Sequence, residues 1–157
     1  MGRRSHFKIG LLLAGMLAAL WGCPSTQVDY VDVDKSADPG TTAVLYVPDY
    51  IEVHSVDDQV IEKFYTKVLY SGARVIHIPP GPHTVVLRYN DIWDADEEAH
   101  DHEKIRSEYI GLGFTAVSGG YYRIEINEPD DLAEAEELAA DFKAWIVDKQ
   151  TGRKVSE

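Results

Sequence analysis

The stretch DIWDADEEAHDHEKIRSE, Asp91 to Glu108, sets eight carboxylates and two histidines in eighteen residues. Side chains of these types hold cations. Asp94, Asp96, His100, His102 and Glu103 form the candidate metal set. Imidazole with carboxylate suits zinc, nickel or copper, and carboxylates alone suit calcium. The spacing matches no standard loop, because Asp91-x-x-Asp94-x-Asp96 lacks the glycine and terminal glutamate of an EF-hand. On a helix His100 and His102 diverge by about 200°, so only an extended or turning backbone sets both on one side. Asp96 and His100 stand at i, i+4 and would share a helical face, which supplies two ligands only.

A second reading of the same stretch is a solvated crossover between strands. Asp94 or Asp96 then caps a short acidic helix, and Glu97, Glu98, Asp101 and Glu103 face water. Glu98–His102 and His100–Lys104 become i, i+4 pairs. Ile92 and Trp93 anchor one end, Ile105 and Tyr109 the other. A third reading is a docking surface for a protein. His54, His77 and His83 stand singly on strand patterns and are expected at the surface rather than as ligands.

Motifs for catalysis are missing from the sequence. It has no GxSxG and no phosphate-binding loop. GLGF at 111–114 contains GxG, but in a strand pattern and not at the opening of a helix. A chain this acidic supplies carboxylate pairs by chance, so pairs alone do not argue for acid–base chemistry. The expectation is a protein without catalytic residues and without a cofactor.

Cys23 is the only cysteine, so one chain can form neither a disulfide nor a thiolate metal cluster. Its position gives it another use. Arg3, Arg4 and Lys8 precede an apolar run from Ile9 to Leu20, which is short for a membrane span of about 20 residues and reads as a signal peptide. The run ends in Leu20-Trp21-Gly22-Cys23, which resembles the lipobox of bacterial lipoproteins. That resemblance implies cleavage before Cys23 and lipid on its sulfur and new amino group. Several acyl chains hold a protein stably on a membrane, at roughly 0.8 kcal/mol per buried methylene. Pro24 stands where an inner-membrane lipoprotein carries Asp, which favours the outer membrane.

Removing residues 1–22 leaves 12 basic against 27 acidic side chains, a formal charge of −15. Such a chain repels nucleic acid and anionic headgroups, and attracts cations or a basic partner. The remaining 135 or so residues suit one domain. Residues 23–41 read as the lipid anchor and a flexible acidic tether, with a Pro39–Gly40 stop. Alternation through Val28, Tyr30, Val31 and Val33 leaves a short added strand open there.

From residue 42 to 157 the pattern is strand after strand. YIEVHSV (50–56) sets Ile51, Val53 and Ser55 on one face and Glu52 and His54 on the other. ARVIHI and HTVVLRYN flank PPGP and read as a hairpin-like pair; IGLGFTAV and YYRIEIN flank SGG and read as a second. In the latter, Tyr122, Ile124 and Ile126 face the core. Pro129, Asp130 and Asp131 then open a helix carrying Leu132, Ala135, Leu138, Ala139 and Phe142 at helical spacing, before a last strand pair turns at Thr151–Gly152. The class is mainly β: a small β-sandwich of immunoglobulin-like character, with one late α-helix and a short acidic helical crossover.

Pro79, Pro80, Gly81, His83, Val85 and Leu87 resemble the turn-and-strand signature of short β-sandwich modules on bacterial envelope proteins. A closer resemblance spans residues 43–155. PPGPHTVVLRYNDIW, HEKIRSE, GFTA, YYRIEI and the closing Asp-x-x-Thr-Gly-x-x-Val are similar to a family of small secreted proteobacterial proteins known only as a domain of unknown function. The resemblance implies a fold and an envelope location and supplies no site residues. Together these readings lead to an envelope lipoprotein held to the membrane through Cys23, with a protein partner in the envelope and none among nucleic acids. Its expected role is binding or structural support at the membrane surface; the alternative is divalent-cation binding through 91–108.

Overall fold

The computed structural model describes residues 27–61, 74–96 and 101–157, without the side chains of 95, 96 and 101. Residues 1–26 lie outside it, and with them the signal segment and Cys23. His100, Glu97 and Glu98 also lie outside the described residues.

Among the described residues, eleven strands form two facing sheets, accompanied by one late α-helix. The first sheet runs in the order β1 (Gln27–Tyr30), β5 (Arg74–Ile78), β2 (Ala43–Val47), β9 (Tyr121–Glu125), β10 (Trp145–Asp148) and β11 (Arg153–Lys154). The second is built on β6, a sixteen-residue strand from Gly81 to Asp96. On one side β6 pairs β3 (Ile51–Val56), which carries the two-residue β4 (Gln59–Val60). On the other it pairs β8 (Ile110–Ala116) along its first half and β7 (Asp101–Arg106) along its second. The architecture is the expected two-sheet sandwich.

Alternation explains the core. Leu45, Ile76, Ile78, Val85, Leu87, Ile124 and Ile146 point between the sheets and are fully buried. Each contributes roughly 1.5–3 kcal/mol by leaving water. Tyr122 does the same with its hydroxyl satisfied, accepting from the Val117 amide at 3.0 Å. Its ring also fixes the turn before it: a Cβ on Gly120 would stand 2.7 Å from the Tyr122 ring and hydroxyl, so only glycine fits.

Neither expected hairpin is one. β5 belongs to the first sheet and β6 to the second, so Pro79–Gly81 carries the chain across the core instead of folding it back. The SGG turn does the same between β8 and β9. A tight turn between two apolar strands fixes the reversal, while burial of both faces against each other decides that the partners sit in opposite sheets.

Two further expectations are corrected. The described parts of the acidic stretch are not a helical crossover: Asn90–Asp96 and Asp101–Arg106 are paired antiparallel strands, and Asp94 faces His102 across them instead of capping a helix. Nor is 27–41 free tether. Gln27–Tyr30 pairs parallel with β5, Val31 is buried, and Asp38 caps a 3-10 turn at Pro39–Thr41. The one helix among the described residues, α1 (Leu132–Ala140), starts later than Pro129. Asp131 is its cap, accepting from the Glu134 amide at 2.9 Å.

The β3–β4 turn departs from simple propensity. Asp57 and Asp58 both hold positive φ, 49° and 65°, a pairing suited to a two-residue hairpin loop in which glycine is favoured. Asp57 offsets its strain with its carboxylate: Oδ1 accepts from the Thr84 amide at 2.8 Å, and Oδ2 lies 2.5 Å from His83 Nδ1.

Candidate functional site

Beyond Tyr89 the strand β6 continues past the end of β3 as a two-stranded ribbon with β7, and this ribbon carries the acidic stretch. Its direction is set by parity. Val85, Leu87 and Tyr89 point inward, and Trp93 follows them, packed against the core with Ile105 from β7. Helix α1 packs beneath β6 and β7, and the Phe142 ring that follows it lies 6.4 Å from that of Tyr89.

A hydrogen-bonded chain stiffens the buried face. Trp93 Nε1 donates to Tyr89 Oη at 2.8 Å, and that hydroxyl donates to Asp91 Oδ2 at 3.3 Å. Burial, opposed by the Trp93 hydrogen bond and aided by the Asp91 charge, pushes the Tyr89 phenol up to about 12. Tyr89 is therefore neutral across the physiological range.

The opposite face is wet. Asp94 stands directly across from His102, with Oδ1 2.6 Å from Nδ1 and both side chains largely exposed. Ile92 stands across from Lys104, and Arg106 Nε donates to Asn90 Oδ1 at 2.9 Å. Of the five candidate ligands, this geometry brings Asp94 and His102 together. Glu103 pairs with Trp93 one position along, so it projects to the other side of the ribbon. Asp96 sits across from Asp101 beyond a register shift, and His100 lies outside the described residues. Among the described residues no three His, Cys, Asp or Glu side chains converge as a metal site would require.

The strand histidines divide. His54 is exposed beside Tyr109, its ring 5.2 Å away. His77 is half-buried in a stack with Tyr30. His83, expected at the surface, is only 6% exposed. Both its nitrogens are engaged, one facing Asp57 Oδ2 at 2.5 Å and the other the Pro79 carbonyl at 2.7 Å. The signal was present in the sequence, since His83 shares the parity of Val85 and Leu87.

His83 also borders an open groove of about 590 Å³ between β6, β8 and the C-terminal residues, with Phe114, Val155 and Glu157 on its walls. Because both ring nitrogens are engaged below, His83 offers the groove no free base. A tighter arrangement lies on the outer face of the second sheet. Glu52 Oε2 accepts from Arg88 Nη2 at 2.8 Å, Tyr109 Oη donates to Glu52 Oε1 at 2.7 Å, and the guanidinium sits 4.6 Å from the Tyr109 ring centroid. These groups satisfy one another and form a cross-strand brace.

Residues 44–157 match the model of a family described as uncharacterized proteins conserved in bacteria (DUF2057). No curated protein matches the chain, and no solved structure matches it.

Proposed function

The chain belongs to this family of uncharacterized bacterial proteins (DUF2057), and on that premise we propose a non-catalytic lipoprotein of the cell envelope. Its sandwich, read as immunoglobulin-like, is held at the membrane by acyl groups on Cys23. There it gives binding or structural support, offering the β6–β7 ribbon to a protein partner. Pro24 favours the outer membrane. The observation that carries this reading is the shortness of the link. Strand β1 starts at Gln27, four residues after Cys23, and four residues span at most about 14 Å. Acyl chains at Cys23 therefore hold the folded domain itself at the bilayer surface.

The ribbon is the natural contact element. It extends past β3, its wet face sets Asp94 and His102 beside Lys104 and Arg106 with Ile92 exposed at its centre, and α1 braces it from behind. An extended segment fits it by strand addition along β6. Fractionation of cells making the full chain tests the anchor: wild type stays with membranes through a high-salt wash, and Cys23→Ser is released. Photo-cross-linking from Ile92 then identifies a partner. Retention of Cys23→Ser in membranes, or an unchanged partner set after charge reversal of Asp94, counts against the reading. Divalent-cation binding by the ribbon is the second reading, favoured by the Asp94–His102 pair alone.

A further inference from the structure

We propose that the outer face of the β1-β5-β2-β9-β10-β11 sheet lies against the lipid bilayer, an inference that rests on the anchoring of Cys23. The two outer faces of the sandwich differ in kind. On the second sheet the outward positions are Glu52, His54, Thr84, Arg88 and Thr115, with Val86 and the 37% exposed Tyr109 among them, so polar side chains predominate.

The first sheet breaks that rule. Register sets Tyr30, His77, Val44 and Tyr121 in one outward row across four strands. The next row reads Val28, Val75, Tyr46, Arg123, Val147 and Lys154. Val28 is 47% exposed and Tyr121 is 42% exposed. A contiguous apolar and aromatic sheet face of this kind marks an interaction surface rather than ordinary solvent contact.

Charge and position select the occupant. The chain is strongly acidic as a whole, yet this face carries Arg123, Lys149 and Lys154, with Lys35 5.9 Å from the Tyr30 ring, against Glu125 and, at the margin, Glu128. Tyrosine, tryptophan and basic side chains around aliphatic ones match the interfacial zone of a bilayer, where rings sit at headgroup depth and cations meet lipid phosphates. Trp145 stands on the same side, across from Glu125. The first strand of this sheet is also the one nearest the anchor: β1 is its edge and starts four residues after Cys23. With a link of at most about 14 Å, the sheet that receives β1 is the part of the domain held closest to lipid.

The test uses the mature lipidated protein, purified and reconstituted into phosphatidylethanolamine–phosphatidylglycerol vesicles. Acylation of Cys23, the only cysteine, leaves a single introduced cysteine as the sole thiol for a nitroxide. Val28→Cys and Tyr121→Cys report on the proposed face, Thr84→Cys and Thr115→Cys on the opposite one. The first pair is expected to show several-fold lower collision with a water-soluble nickel chelate and higher collision with oxygen than the second. Equal accessibility at all four positions, with the protein floating with the vesicles, overturns the face assignment and leaves the anchor standing. Shielding that appears only at high protein-to-lipid ratio assigns the face to a second copy and also overturns it. Failure of the protein to float removes the anchor and this inference with it.

Discussion

Tyr30 and His77 stack across the parallel pairing of β1 and β5, their ring centroids 4.8 Å apart and their planes 10° from parallel. That contact fastens the start of the packed domain to the sheet. Tyr30→Ala is expected to cost about 1–2 kcal/mol in urea unfolding and to open residues 27–41 to proteolysis. His77→Ala should cost about as much, and the double variant less than the two together. Additive losses would mean that the stack contributes nothing of its own.

Adjacent aspartates in the β3–β4 turn should respond in opposite directions. Asp58 holds φ 65°, so Asp58→Gly relieves backbone strain and raises stability by about 0.5–1 kcal/mol. Asp57 shares the strain but serves the Thr84 amide and buried His83. Asp57→Ala is expected to lower stability by about 2–3 kcal/mol, because it leaves a buried imidazole without its partner. Thermal melts of the two variants check both signs.

Alkaline stability follows from two raised phenols, Tyr50, lifted by burial and its Glu128 hydrogen bond, and Tyr89. The Tyr89 phenol is held up to about 12 against an ordinary 10, chiefly by burial, so the folded state keeps the proton that the unfolded chain gives up. The stabilisation is complete below pH 10 and is lost as pH rises from 10 to 12. Tyr89→Phe should cost about 1 kcal/mol at pH 7 by stranding the Trp93 N–H, yet lessen the fall in stability above pH 10, leaving the share of Tyr50. An equally steep fall in the variant would exclude Tyr89 as a source.

Zinc and calcium separate the two readings of the ribbon. With Glu103 turned to the other side from Asp94 and His102, saturating metal is expected to leave the melting temperature of the full chain unchanged. A saturable rise that disappears in Asp94→Asn and His102→Gln would establish the cation reading instead.

Burial periodicity was legible in the sequence, and strand partnership was not. Ile51, Val53 and Ser55 lie inward as alternation predicts, and so do Tyr122, Ile124 and Ile126. Pro79–Gly81 and Ser118–Gly120 were equally clear as reversals, but a turn looks alike whether it joins neighbours in one sheet or crosses between two. The acidic stretch misled because carboxylates at i, i+4 imitate a solvated helix. The competing signal was the period of two running from His83 through Val85, Leu87 and Tyr89 to Trp93, which carries the strand into the ribbon. The apolar outer rows escaped notice because they arise from register across strands distant in sequence, Val28 beside Val75 and Val75 beside Tyr46.

Intact-mass spectrometry of the protein extracted from its own membranes tests the central claim most directly. The account predicts one mature species that begins at Cys23 and carries the added mass of its acyl chains. A mature chain without acyl mass, beginning at any other residue, would contradict it.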